Sequence, residues 1–546
     1  MVDRVIEVRG RGLRGGRGLP SGPLGSDSVG AQEFKQSAQD RKAIIDLFGL
    51  PLIPVDIFPS ISAAYAYAVS NGGGALYFSN RRYTDNPWTT PNTRLSNPNI
   101  RLIGAGRPTL AAGRNRYLDG TGTIINGPLY YWADNTALEG FAVDSGADVC
   151  SASHGGSAVD GLASFKPDQA NWNEINSPNK KGLFVRNIGA LCQSPGAPIH
   201  AGLFEAYDYA DIEDVSVTYG LHGFVGKLRF SNIRGIYAYG QAGGNSGEGE
   251  GFLLKGNAYA PLSRVSATGI TVEGAFPNDN GIGVQVLAEA TIGAGGVTIS
   301  DVQVYAKSKG IECKGANLAD VEIVGAVIES CPIGVTYGDG IKRVDVSKTI
   351  INNSARAVVC EGSGDLSNSF NGSKITNISG DCGIDVSASK LDIDNVYFEN
   401  ILASGSHCIK ATTGRVRVGK VLTKDGTILS LANSTPNLLN GYAAKTGDGS
   451  AGNNPAPWTV LYKTGFVILG GVLTPGTSDT FANLPVWLRP TRDWYFNARV
   501  ISGATEETRR GVIRSDGDIR IINHPTESGS LIFLDNIAMS DTFLPL

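Results

Sequence analysis

A short phrase recurs through the middle of this 546-residue chain: an alternating β run, a turn, then one residue, a glycine and a second apolar β run. It reads Asp214-Val-Ser-Val-Thr-Tyr219 then His222-Gly-Phe224; Gly235-Ile-Tyr-Ala-Tyr239 then Glu250-Gly-Phe252; Gly269-Ile-Thr-Val-Glu273 then Asn280-Gly-Ile282; and Asp301-Val-Gln-Val-Tyr305 then Lys309-Gly-Ile311. Looser copies follow around Ile333-Gly334, Arg356-Ala357, Cys382-Gly383 and His407-Cys408. A period of roughly 21 to 30 residues is that of one supersecondary unit stacking on the next. The middle of the chain is therefore a solenoid. Because each copy repeats the same phrase in the same direction, its strands pair in parallel, about 4.8 Å apart per coil.

Alternation at period two assigns Val215, Ile236, Ile270 and Val302 to the interior, with Val217, Ala238, Val272 and Val304 beneath them. Thr218, Tyr239, Glu273, Tyr305, Glu329 and, later, Glu399 then form an outward ladder. The residues before the repeat glycine form a second column: Asp160, Ala201, His222, Glu250, Asn280 and Lys309.

The flanks differ from the repeat. Residues 1–54 hold the basic run Arg-Gly-Arg-Gly-Leu-Arg-Gly-Gly-Arg (9–17) and a helical pattern over Gln32 to Phe48, and are expected to form a flexible arm with a short helix. The expected β-helix spans 55–432 and opens on a helix over 58–69, begun by Pro59 and Ser60, that covers the first coil. A linker rich in Ser, Asn, Gly and Pro follows at 433–457, and short β runs over 458–546 predict a compact antiparallel β-sandwich. The fold class is thus all-β.

Composition agrees and narrows the function. The 72 glycines favour turns over helices, and a net charge of -4 gives no field that attracts nucleic acid or an anionic membrane. Neither nucleic-acid binding nor membrane insertion is expected, and with neither a long apolar run nor a signal-peptide core the chain is expected to be assembled in a reducing cytoplasm. The seven cysteines show no paired spacing; Cys313 and Cys360 fall on the inward parity and are expected as buried free thiols. No metal or cofactor is expected.

The residues 72–78 (Gly-Gly-Gly-Ala-Leu-Tyr-Phe), 100–106 (Ile-Arg-Leu-Ile-Gly-Ala-Gly), the coils, and the terminal runs Leu484-Pro-Val-Trp-Leu-Arg-Pro490 and Arg514-Ser-Asp-Gly-Asp-Ile-Arg-Ile resemble the bacteriophage tailspikes. The resemblance covers roughly residues 55–546, and pectate lyase-like enzymes share the opening and the coil. It implies a homotrimeric right-handed parallel β-helix that binds, and usually cleaves, bacterial capsular polysaccharide or lipopolysaccharide O-antigen. It further implies a place in the virion tail, attached to the tail or baseplate through the N-terminus. Many tailspikes carry a large N-terminal particle-binding domain, whereas about 50 residues precede the β-helix in this sequence.

Hydrolysing a glycosidic bond takes a carboxylic acid and a second carboxylate roughly 5–10 Å apart. In tailspikes an acid in an Asp-Gly-Phe setting can be catalytic, which maps by motif onto Glu250. Independently of family, the widest turn, residues 240–250, carries Glu248 and Glu250, the next adds Asp279, and Glu273 stands on the neighbouring ladder. Clustering is expected to raise one of these carboxyls into the range of a general acid, with Glu250 the acid and Glu248, Asp279 or Glu273 its partner. His222, Lys309, Tyr239, Tyr305, Tyr219 and Tyr237 are the candidate substrate-binding residues. His222, Lys309 and Tyr239 would alternatively serve β-elimination, which needs a base and a cation. Tyr207, Tyr209 and Trp172 offer further flat faces. A non-catalytic adhesin of the same fold is the other class.

Overall fold

The structure is a computed structural model that describes residues 51–90, 93–145, 161–164, 178–241, 249–257, 261–275, 279–289, 294–361, 364–386, 389–401, 407–411, 415–418, 421–423, 437–438, 443–444, 458–462, 466–470, 472–474, 478–483, 492–502, 505–523, 531–534 and 537–540. The basic arm, the pattern over Gln32 to Phe48, Asp160, Trp172 and Glu248 lie outside them. The chain divides into two compact units, Met1–Pro332 and Ile333–Leu546.

The first unit opens on the strand Leu52–Pro54 and the helix Ile61–Ser70. Ser60 caps the helix, its hydroxyl accepting from the Ala63 amide at 3.1 Å, as the Pro-Ser start predicts. Ile61, Ala64 and Ala68 are buried, and Ala68 packs beside Gly74, the first residue of the strand Gly74–Phe78.

From there the chain winds in parallel coils. Ser263–Glu273, Ala294–Tyr305 and Leu318–Glu329 stack in register, and the first of them also pairs with residues 229–239 of the extended run Lys180–Tyr239. A second parallel ladder joins residues 224–226, Glu250–Gly256, Asp279–Ala288 and Lys307–Lys314. The interior is as the alternation requires: Val215, Ile236, Ile270, Val302, Val217, Ala238, Val272 and Val304 are all buried. Phe204, Phe224 and Phe252 stack inside, with centroids 4.8 and 5.0 Å apart.

The recurring phrase now has a backbone cause. Its first residue adopts the left-handed conformation in each of the four full copies, at Asp214 (φ 55°), Gly235 (65°), Gly269 (68°) and Asp301 (53°), which bends each strand into the next face. Gly and Asp tolerate that conformation best. The later glycine answers to crowding instead. A methyl group on Gly223 would lie 2.4 Å from the Gly251 carbonyl oxygen, and one on Gly283 would lie 2.5 Å from that of Gly310.

The second unit runs three parallel strands per coil. One ladder is Ile333–Tyr337, Arg356–Cys360, Cys382–Val386 and His407–Ala411; a second contains Lys342–Ser347, Gly364–Asn371, Ser389–Asp394 and Arg415–Val418; the third is Ile350–Ser354, Lys374–Ile378, Val396–Ile401 and Val421–Thr423. Asn353, Asn377 and Asn400 repeat a left-handed corner. Along this edge Asn400 donates to Asn377 at 3.1 Å, and Asn377 donates to Asn352, the residue before the Asn353 corner, at 2.7 Å.

A separate eight-stranded antiparallel sheet follows, built mainly on the Trp494–Ser502 and Thr505–Ile513 hairpin. The stretch expected as a linker contributes two short strands to it, Asn437–Leu438 and Ala443–Ala444. Trp458–Tyr462, Phe466–Gly470 and Ile537–Ser540 form another antiparallel set, whose first strand pairs in parallel with Arg415–Val418. The six described cysteines, Cys313 and Cys360 among them, are buried, and none of the six is in a disulfide. Among the described residues no helix is long and apolar enough to cross a membrane.

One corner of this unit carries an ion network. Lys410 and Arg356 both reach Asp381, at 2.8 and 3.2 Å, and Arg356 also reaches Asp385 at 3.2 Å. The Lys410 hydrogen bond, with the Arg356 charge adding to it, holds the Asp381 carboxyl down at about 2. Its folded value lies below its unfolded one, so this contribution is fully present above the ordinary aspartate range and is lost as pH falls through about 2. In Lys410→Met the Asp381 midpoint, followed by carboxyl NMR, should rise toward the ordinary value of about 3.9. An unchanged midpoint would assign the depression to something other than the network.

Candidate functional site

Glu250 begins its strand and faces Ile282 on the next coil, and Ile282 faces Lys309 on the one after. The Glu250 carboxylate is buried and is hydrogen-bonded through Oε2 to Nδ1 of His222. The His222 ring in turn stacks on His200, with centroids 5.1 Å apart and planes 24° apart. The observed column is therefore His200, His222, Glu250, Ile282 and Lys309. Asn280, expected in it, is displaced by two residues because the pairing shifts between Asp279 and Ile282. Asp279 pairs through its backbone with Lys307.

The electrostatics of Glu250 run opposite to the upward shift expected of a general acid. Burial is the largest influence and pushes its carboxyl up, yet the His222 hydrogen bond and charge, a backbone hydrogen bond and Lys255 together bring it below the usual glutamate range. A buried carboxylate left without such partners would neutralise instead. Glu250 thus stands as a carboxylate, suited to act as base or nucleophile.

The column has polar neighbours that pattern reading passed over. Lys309 Nζ lies 2.5 Å from Glu312 Oε1, and the other oxygen of Glu312 accepts from Gln285 Nε2 at 2.5 Å. Gln285 and Glu312 are opposite one another and buried. Both sit on the outward parity, Gln285 two residues before the half-buried Leu287 and Glu312 two before the exposed Lys314, but neither lies beside the repeat glycine.

The outward ladder holds a second cluster. Tyr239, Glu273 and Tyr305 are partners across successive coils. Tyr237 donates its hydroxyl to Glu273 Oε2 at 2.7 Å and accepts from Arg114 Nη1 at 2.7 Å. The Arg114 guanidinium lies 3.6 Å over the Tyr239 ring, itself 5.9 Å from Tyr219. Burial raises the Tyr237 hydroxyl above its ordinary range. Tyr305 turns its hydroxyl to Gln303 on its own strand. Arg114 reaches this cluster from the hairpin closed by Leu110 and Tyr117, 123 residues earlier than Tyr237. No local pattern links positions so far apart in sequence.

Two expected surface groups are interior. Thr218 is fully buried, and its sequence neighbour Tyr219 packs with Leu110 against the cluster of Tyr117, Ile124, Ala142 and Leu191. Tyr207 is fully buried as well and donates its hydroxyl to the Ala133 carbonyl at 3.0 Å. Glu250 and Glu273 belong to different ladders and have different partners. Between these ladders Gln241 donates to the Tyr219 and Tyr239 carbonyls at 3.2 and 3.0 Å, and the buried Lys307 ammonium donates to the Gln241 carbonyl. Among the described residues no group of three or more His, Cys, Asp or Glu side chains is placed to hold a metal ion.

No family model matches the sequence, and no curated protein does. Solved structures similar to this chain include the Dettilon tailspike protein, at 11% identity, covering 93% of this chain and 95% of that one with a TM-score of 0.48. The mannuronan C-5 epimerase AlgE4 A-module of Azotobacter vinelandii is similar at 15% identity, covering 70% of this chain and 98% of its own, with a TM-score of 0.47. A mutant tailspike protein of E. coli bacteriophage HK620, solved in complex with pentasaccharide, is similar at 10% identity, covering 87% and 88%, with a TM-score of 0.44.

Proposed function

We infer that this protein is a phage tailspike that recognises and depolymerises a bacterial surface polysaccharide, capsule or O-antigen, by endo-glycosidic hydrolysis. The observation that carries the reading is the buried, ionised Glu250, hydrogen-bonded to His222 in a column that ends on the Lys309 ammonium. A polar column on one face of a parallel solenoid suits a linear polymer, because equivalent positions recur about 4.8 Å apart along one axis. The sequence resemblance to tailspikes supports the same substrate class, a homotrimer and attachment through the N-terminus.

In this reading Glu250 is the carboxylate of the pair, as base or nucleophile. The proton donor comes from Glu248 or Asp279, the other two carboxylates of the expected cluster. Glu273 is the less suited partner, since Tyr237 and Arg114 already engage it. Tyr219, Tyr237, Tyr239 and Tyr305 supply contact surface to the polymer. A second reading, β-elimination, is favoured by the same dyad, since an imidazole held by a carboxylate is the arrangement of a general base; Lys309, three coils along the column and paired with Glu312, does not stand beside it as the cation.

Incubation with purified capsules and O-antigens from candidate host serotypes tests the proposal. New reducing ends without ultraviolet absorbance are expected. A product absorbing in the near ultraviolet would replace hydrolysis by elimination. Binding to a polysaccharide with neither product would make the protein an adhesin and overturn its assignment as an enzyme.

A further inference from the structure

A second left-handed corner of the first unit is built differently from the one that begins the repeat phrase. Pairing of Thr136 with Leu183 places Asn135 opposite Gly182, and pairing of Ser231 with Val265 and of Val265 with Val297 places Phe230, Arg264 and Gly296 in line. The buried pairs Leu183 and Val185, then Ala210 and Ile212, set Tyr209 between Gly182 and Phe230 in the same column. Tyr209 and Phe230 hold φ of 62° and 52°. Bulky aromatic residues rarely adopt this region, and such outliers persist where the surroundings impose them.

These two rings are also exposed, Tyr209 at 60% and Phe230 at 38%. They stack with centroids 5.4 Å apart and planes 19° apart, and the Arg264 guanidinium closes the far side at 5.4 Å from the Phe230 ring. The other face of Tyr209 looks along the column toward Gly182, which has no side chain to cover it. The column therefore lacks a rung beside Tyr209, as it does at Gly296 beyond Arg264. Asn135 bounds the gap from the coil beyond, its Oδ1 only 2.9 Å from where a Gly182 methyl would stand. Two coils span roughly 9–10 Å, so a ring halfway between them lies at stacking distance from Tyr209.

The rim of the gap is polar and ordered. Arg229 grips Asp208 with two hydrogen bonds, at 2.7 and 2.6 Å, and Asn179 donates to the same carboxylate at 2.8 Å. We propose that the Gly182 gap is a saccharide subsite in which one pyranose ring stacks on Tyr209 and hydrogen-bonds to Asn135 and the Asp208–Arg229 rim. A flat aromatic face bordered by planar amide, carboxylate and guanidinium groups matches a pyranose, which has an apolar C–H face and an equatorial belt of hydroxyls. A protein partner fits less well: two rings fall far short of the roughly 800 Å² per side of a stable interface. The subsite does not depend on Glu250 or on any cleavage.

Saturation-transfer NMR with methyl glucoside, galactoside, rhamnoside and N-acetylglucosaminide, each as probe against the full chain, reads the site directly. Transfer to ring C–H protons of at least one probe is expected, with apparent affinity roughly five- to tenfold weaker in Tyr209→Ala and kept in Tyr209→Phe. Gly182→Asn, a residue type this column already uses at Asn135 with positive φ, should fill the gap and weaken binding as much while Tyr209 stays in place. Equal transfer in wild type, Tyr209→Ala and Gly182→Asn would overturn the proposal, as would transfer from none of the probes. A change of oligomeric state in Tyr209→Ala, seen by sedimentation, would assign the rings to a contact between copies and overturn it too.

Discussion

Glu250→Gln should lower polysaccharide cleavage by roughly a thousandfold or more while the protein remains folded. The amide keeps the shape of the side chain and a hydrogen bond to His222, but it removes the charge that the site is built to hold. Glu250 lies below the ordinary glutamate range because His222 and its other partners outweigh burial. The acid limb of the pH–rate profile should accordingly fall below about pH 4.3, the ordinary glutamate value. His222→Ala removes the main offset and leaves burial in command, so the same limb should move to higher pH. The stability that accompanies the depressed carboxyl is fully present above the unfolded value and is lost as pH falls through the folded one. Full activity in Glu250→Gln would remove this residue from the chemistry altogether.

Gly283→Ala should destabilise the protein by about 2–3 kcal/mol, near the upper end for overpacking a tight site. The added methyl would stand 2.5 Å from the Gly310 carbonyl oxygen and 2.3 Å from a methyl of Val304. Backbone on one side and a fully buried side chain on the other leave little room to yield. Each coil supports its neighbours, so the loss should spread along the stack. Gly113→Ala is the control: its methyl would meet only the Asn115 side chain, at 3.4 Å, and should change stability by less than about 0.5 kcal/mol. Thermal unfolding followed by circular dichroism distinguishes them. Equal melting temperatures would mean that the repeat glycine is not there for close approach.

Much of the coil was legible because its constraints are local. A left-handed corner selects Gly or Asp at the start of each phrase, and alternation then sorts Val215 from its neighbours without knowledge of anything distant. Glu250 was legible for the same reason, as the residue beside a repeat glycine. The register of the next coil was not. Gly281-Ile282-Gly283 offers two glycines that fit the phrase, and only the irregular pairing after Asp279 selects the second, which moves Asn280 out of the column. Thr218 kept its outward parity yet is buried, because parity assigns a face and says nothing of what packs over it. Arg114 was beyond reach, since its partners Tyr237 and Tyr239 meet it only after the hairpin has folded back. The downward shift at Glu250 likewise depends on His222, 28 residues away, being bonded to it rather than merely sharing its column.

The most direct measurement is a structure of Glu250→Gln with an oligosaccharide released by the wild-type protein. The scissile linkage is expected beside residue 250, with the chain crossing the column of His222, Glu250 and Lys309. An oligosaccharide bound elsewhere on the solenoid, with that column open to solvent, would contradict the assignment of this face as the catalytic site.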